Sequence, residues 1–158
     1  MATEENGTKV ETSLIHKGRK TSWHLQQMKK KGEKIVMLGP GNLDPLFSAW
    51  ADAGGADMIR FVAPGENAID RSANLQSHLR QVRKMCPNAH LNVVCEAFTV
   101  SDNKTALETT TKLMADQADS VLIMGISNDK LLFLSDNQVP VFGHVGALSG
   151  WQTTNIGG

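Results

Sequence analysis

Three side chains that can bind a cation or contact a substrate each follow a segment with the character of a β-strand. Glu66 lies in the loop after residues 57–62, Glu96 directly follows residues 90–95, and His144 comes at the end of the last such segment. The carboxyl ends of parallel strands meet at one edge of a sheet, so we expect these three residues to lie on one face. The plainer interpretation makes both glutamates solvated strand-end carboxylates and the histidine a structural residue.

The composition is that of a neutral globular protein. The chain has 158 residues, 41% apolar and 20% charged, which suits one domain with a buried core. Sixteen basic and sixteen acidic residues cancel, and aromatic residues make up 5%, so no nucleic-acid-binding surface is expected. The apolar runs are far shorter than the ~20 residues that cross a membrane. Cys86 and Cys95 are expected to be reduced, and the absence of a secretory signal makes the cytoplasm the expected location.

Strand-like and helix-like segments alternate along the chain. Strands are predicted near residues 34–38, 57–62, 90–95, 119–124 and 139–143, and the first of them is predicted to be buried. The helix predicted after Asp44 carries Leu46, Phe47 and Trp50 on one face. Residues 1–20 are polar and aperiodic, and are predicted to form a flexible tail.

This alternation predicts an α/β protein with a parallel sheet. An open sheet and a barrel are both compatible with it. A full (β/α) TIM barrel takes ~250 residues, so in the second case residues 21–158 are its N-terminal portion, of about five βα units behind an N-terminal helix.

Five segments match, in one colinear order, the motifs of a single enzyme family. Residues 21–38 carry a short lysine-rich helix that leads into a strand, and residues 51–59 are similar to a "DEAGVDMI" passage. Residues 75–83 are similar to "MIYHTRAVRR", residues 141–146 to "VMGHLGL", and residues 157–158 stand where "GGYKVQG" begins. Over about residues 21–158 the chain thus resembles the ketopantoate hydroxymethyltransferases, in the superfamily of the phosphoenolpyruvate mutases and isocitrate lyases.

The resemblance implies a fold, a reaction and a set of site residues. It implies a (β/α)₈ barrel, Mg²⁺, a homo-oligomer, and transfer of a hydroxymethyl group from methylenetetrahydrofolate to a branched 2-oxo acid in pantothenate synthesis. It puts Glu96 at the position of a metal-binding Asp of the third strand. It matches His144 to the family's fifth-strand histidine, which we expect to face the substrate and to act in catalysis. Glu66, in the loop after the second strand, is a further expected metal or substrate ligand.

The chain departs from the family pattern at several strand ends. Residues 62–66 lack the Asp and Ser of the family's "VGDS", and residues 122–126 are apolar where the family has the Lys and Glu of "KLEGG". The family's general base belongs to a sixth strand, beyond Gly158. Proton abstraction beside an oxo group needs a base and a cation that stabilises the enolate. Two alternatives therefore stay open: a superfamily lyase acting on a 2-oxo or 2-hydroxy acid, and a non-catalytic paralogue that serves assembly.

Overall fold

Five parallel strands, with a helix between each and the next, form the body of the molecule. The computed structural model describes residues 18–39 and 44–143. The strands are β1 (Met37–Leu38), β2 (Met58–Phe61), β3 (His90–Cys95), β4 (Ser120–Ile123) and β5 (Val141–Gly143). The helices are α1 (Ser22–Lys30), α2 (Pro45–Ala53), α3 (Ala68–Met85), α4 (Asn103–Ala115) and α5 (Asn128–Asp136), and a 3-10 helix spans Ala97–Val100.

The strands lie side by side in the order β1-β2-β3-β4-β5, and every neighbouring pair is parallel. The predicted α/β class with a parallel sheet is therefore confirmed. The register pairs Arg60 of β2 with Asn92 of β3, and Asn92 in turn with Ser120 of β4. Sequential parallel order is the order of a (β/α) barrel, whereas a doubly wound open sheet reverses direction at a switch point. The five strands thus have the arrangement of part of a barrel.

The two faces of the sheet differ in chemistry. The face that packs against the helices is apolar, and its fully buried strand residues are Ile59, Phe61, Leu91, Val93, Val121 and Ile123. Because side chains alternate along a strand, the residues between these point the other way. We call this second surface the inner face; it carries Met58, Arg60, His90, Asn92, Val94, Ser120, Leu122 and Phe142. In a closed barrel it would be the interior.

Polar side chains begin most of the helices. The side-chain oxygens of Asp44, Asn67, Asp102 and Ser127 each accept a backbone N–H from the first turn of α2, α3, α4 and α5. Each such cap stabilises a helix by about 1 kcal/mol. Helix α1 is followed by Gly32, whose φ of 72° favours glycine. None of the helices described between residues 18 and 143 has the length and apolar character that a membrane span requires.

The predicted buried strand over residues 34–38 is wrong in both length and burial. The strand contains two residues, and Val36 and Met37 are 61% and 43% exposed. Within the described residues β1 is an edge that pairs with β2 alone, so one side of it remains uncovered. An apolar run of this kind does not distinguish an edge strand from a central one.

Helix α2 turns its apolar face to solvent. The exposed residues are Leu46, Phe47 and Trp50. Its opposite face docks through Asp52, which accepts a hydrogen bond from the Ala89 backbone N–H at 2.5 Å and from the Asn88 side chain at 3.1 Å. A buried carboxylate therefore decides the orientation of this helix, and the apolar pattern does not reveal it.

Two aspartates tie the amino-terminal segment to the sheet. Asp119 is buried and accepts from Arg83 and, at 2.7 Å, from Nε of Arg19. Asp57 accepts from Nζ of Lys20 at 2.6 Å. Arg19 and Lys20, which fall within the predicted tail, thus form ion pairs with the residues just before β4 and β2.

Candidate functional site

The loops after β2 and β3 place two of the three predicted site residues at the same edge of the sheet. Glu66 lies in the loop between β2 and α3 and is exposed, and Glu96 directly follows β3 and is half-buried. Neighbouring parallel strands end at one edge, in agreement with the predicted placement of these two residues. His144 lies outside the described residues. The roles assigned to all three stay predictions.

Glu96 is held by an ion pair. Its Oε1 accepts a hydrogen bond from Nε of Arg71, in the first turn of α3, at 2.6 Å. The loop before α3 packs closely against that turn, since a Cβ at Gly65 would lie 2.5 Å from the backbone nitrogen of Arg71. Glycine at position 65 is therefore part of the geometry that brings α3 to the end of β3.

The described residues do not complete a magnesium site. Among residues 18–39 and 44–143, no three His, Cys, Asp or Glu side chains cluster in a way that would hold a metal ion. Mg²⁺ prefers six oxygen ligands at ~2.1 Å, and Glu96 already pairs with Arg71. Glu66 and Glu96 offer carboxylates at this edge, but the donor set in this part of the chain is insufficient.

The end of β4 is apolar, as the sequence indicates. Leu122 and Ile123 are buried and lead into Met124 and Gly125. This strand therefore brings no charged side chain to the inner face. A substrate with a carboxylate would need a cation from another strand.

Strand β2 provides a cation of this kind, Arg60. Arg60 is the one charged side chain on the inner face of the described strands, and Phe61 alone follows it in β2. Its Nε–H donates to Oδ1 of Asn92 at 2.7 Å, and its guanidinium carbon lies 6.0 Å from the centre of the Phe142 ring. The family motifs give no reason to single out Arg60, because the family's charged residues stand at other positions.

Arg60 begins a chain of polar side chains that crosses three strands. Asn92 turns its carbonyl oxygen to Arg60, so its amide nitrogen faces Ser120 and donates to Oγ at 2.7 Å. The same Oγ lies 2.7 Å from Nε2 of His90. Asn92, Ser120 and His90 are fully buried. A buried network with consistent donors and acceptors holds its members in one arrangement.

His90 ends this chain in its neutral form. Burial lowers its pKa, against the opposing effects of the Asp119 charge and the backbone of Lys20. The Ser120 hydroxyl already accepts from Asn92, so its own proton can be donated to Nε2 of His90. In the tautomer that carries the ring proton on Nδ1, Nε2 of His90 accepts from Ser120, and Nδ1 meets no partner with hydrogen-bond geometry among the described residues. With this tautomer every donor in the chain points from Arg60 towards His90.

A cleft of about 500 Å³ adjoins the inner face. It lies between α1 and the segment that leads into β5, and is lined by Leu25 and Lys29 of α1. Met58 and Phe142 contribute the wall on the side of the sheet. Its volume falls in the ~300–1,000 Å³ range of small-molecule sites.

Among solved structures, the chain is similar to 2,3-dimethylmalate lyase, a PEP mutase/isocitrate lyase superfamily member. The TM-score is 0.57 at 10% sequence identity, and the match covers 75% of this chain and 50% of the lyase. The chain thus corresponds to about half of that protein, and at this identity the likeness shows the fold alone. No curated protein matches the chain in sequence.

The sequence itself matches one family model along most of its length. The model describes ketopantoate hydroxymethyltransferase and matches residues 19–158. This match confirms the resemblance drawn from the five sequence segments. The chain belongs to the ketopantoate hydroxymethyltransferase family.

Proposed function

We propose that the chain transfers a hydroxymethyl group from methylenetetrahydrofolate to a branched 2-oxo acid, 3-methyl-2-oxobutanoate, in pantothenate synthesis. The observation that carries this proposal is the family match over residues 19–158. The fold supports it, because the parallel strands place Glu66 and Glu96 at their carboxyl edge, where barrel enzymes build their sites.

The proposed site combines residues from neighbouring strand ends. Glu96, positioned by Arg71, is the proposed carboxylate ligand of Mg²⁺, and Glu66 is the proposed second ligand or a substrate contact. His144 is the proposed catalytic histidine that faces the substrate. The described residues supply only part of the donor set that Mg²⁺ requires.

A direct assay of product formation tests the proposed transfer. The purified chain is incubated with 3-methyl-2-oxobutanoate, methylenetetrahydrofolate and Mg²⁺, and the hydroxymethylated product is measured by mass spectrometry. We expect product with the wild type and a large loss with Glu96→Gln. Arg80→Met removes an exposed cation on the outer surface of α3 and should leave the rate unchanged. The proposal fails if the wild type forms no product and does not exchange the C3 proton of the oxo acid in D₂O.

The second candidate is a non-catalytic family member that serves assembly and does not convert a 2-oxo acid. Two observations favour it: the apolar end of β4, and the lack of a three-ligand metal cluster among the described residues. Binding of 3-methyl-2-oxobutanoate without proton exchange or product would identify this case. A superfamily lyase, the remaining alternative, would instead cleave a 2-hydroxy acid in the absence of the folate.

A further inference from the structure

Arg60 is a partly buried cation without a counter-charge in the described part of the chain. None of the ion pairs between described side chains includes it. Its one hydrogen bond there uses Nε, so both Nη atoms lack an acceptor among those residues. Burial lowers the pKa of its guanidinium. Because removing a charge from water costs free energy unless the charge is paired, this position favours an anion from outside the described residues.

The groups that touch Arg60 orient it but do not neutralise it. Asn92 is uncharged and accepts from Nε, and the Phe142 ring lies close to the guanidinium. Ser120 and His90 fix the amide of Asn92 in turn, because they determine which of its atoms faces Arg60. Asn92 thereby fixes the Nε edge of the guanidinium, while the two Nη groups, which lie in the same plane, have no acceptor among the described residues.

We propose that Arg60 binds the carboxylate of a small 2-oxo acid, and that Asn92, Ser120 and His90 are positioning residues that hold the guanidinium in place. The class of acid rests on the proposed function, whereas the assignment of its carboxylate to Arg60 rests on the geometry of the inner face. A planar guanidinium matches a carboxylate through paired charge-assisted hydrogen bonds. Arg60 supplies the positive charge that the apolar end of β4 does not.

The surroundings of Arg60 suit a short acid with an alkyl branch. Phe142, which lies against the guanidinium, and Met58, two residues before it in β2, both line the cleft of about 500 Å³. Arg60 itself is not among the residues that line the cleft, but an alkyl group packed against these two side chains would lie beside the Phe142 ring that faces the guanidinium. A neutral ligand of the same shape would keep the apolar contact and lose the charged one.

Isothermal titration of the full chain with 3-methyl-2-oxobutanoate tests the assignment. The neutral 3-methylbutan-2-one serves as the ligand control, and Arg80→Met as the matched protein control, since it removes an arginine that pairs with Asp116 on the outside of the molecule. We expect Arg60→Met to weaken binding of the acid by at least about 10- to 100-fold, which corresponds to the loss of a single charge-assisted hydrogen bond. Arg80→Met should bind like the wild type.

A second variant, at position 92, leaves the side chain of Arg60 in place, so its effect on binding does not come from altered packing at position 60. Asn92→Asp preserves the shape of the side chain and places a carboxylate 2.7 Å from Nε of Arg60, at the position of the present acceptor. The internal ion pair should abolish binding of the acid without unfolding the chain, which circular dichroism would verify.

The outcomes separate this inference from the proposed function. Equal affinity of the wild type, Arg60→Met and Asn92→Asp for the acid, or no binding by the wild type, would overturn the inference. Hydroxymethyl transfer with an unchanged KM in Arg60→Met would overturn it while the proposed function stands. Binding that depends on Arg60, without transfer, would support the inference and overturn the proposed function.

Discussion

Replacing Glu96 by Gln separates two roles of this residue, the ion pair with Arg71 and the proposed binding of Mg²⁺. The variant keeps the size of the side chain and removes the charge that Arg71 meets at 2.6 Å. Hydrogen bonds to charged groups contribute about 1.5–3 kcal/mol when buried, and exposed ion pairs about 0–1 kcal/mol. Because the two side chains are 28% and 24% exposed, we expect a loss of about 1 kcal/mol, or about 2–4 °C in Tm.

Urea unfolding of the wild type, Glu96→Gln, Arg71→Gln and the double variant measures this coupling. We expect the double variant to lose about as much stability as each single variant, since the pair can be broken once. Fully additive losses would show that the ion pair is absent in solution. The same series with Mg²⁺ tests the metal role: a magnesium-dependent rise in the wild-type Tm that Glu96→Gln abolishes is expected for a metal ligand. A wild-type Tm that does not respond to Mg²⁺ would favour the non-catalytic family member.

Three further predictions concern pH, packing and assembly. Because the pKa of His90 is lowered in the folded state, the unfolded state binds more protons below pH ~6.5. The free energy of unfolding should therefore fall on acidification through that value, and it should fall less steeply in His90→Gln. Equal pH dependence of the unfolding free energy in the wild type and His90→Gln would contradict this prediction. Gly65→Ala should destabilise by about 1–3 kcal/mol in urea unfolding, because its Cβ meets the backbone of α3; an unchanged midpoint would refute the close approach. Among the described residues β1 and β5 are the two edge strands of the sheet, and exposed edges pair with other chains. Light scattering after size exclusion should therefore show self-association, and a cooperatively melting monomer would contradict this prediction.

The periodicity of the sequence is sufficient to predict the βα order and the parallel sheet. These depend on apolar runs and breakers, which are local. The edge position of β1 and the outward apolar face of α2 are not local properties. The first depends on which strands flank β1, and the second on a hydrogen bond between Asp52 and a backbone N–H far along the chain. No window of the sequence around α2 contains that partner.

In the candidate site too, some features depend on the local sequence and others on residues far along the chain. The family motif identifies Glu96 because the residue stands at a family position, but its partner Arg71 belongs to a different element. Arg60 matches no family motif, yet the sequence contains a signal for it. In residues 58–61 the apolar side chains at 59 and 61 face the helices, so a charge at position 60 must face the inside. Side-chain alternation within a strand is therefore sufficient to place this cation on the inner face.

The central claim, that the inner face binds a 2-oxo acid through Arg60, is tested most directly by NMR of the chain carrying ¹⁵N-labelled arginine. The Nε–H of Arg60, hydrogen-bonded to Asn92, should be assignable by its loss in Arg60→Met. Addition of 3-methyl-2-oxobutanoate should shift this resonance and leave that of Arg80 in place, whereas 3-methylbutan-2-one should shift neither. An Arg60 resonance that stays unchanged at saturating oxo acid would contradict the account.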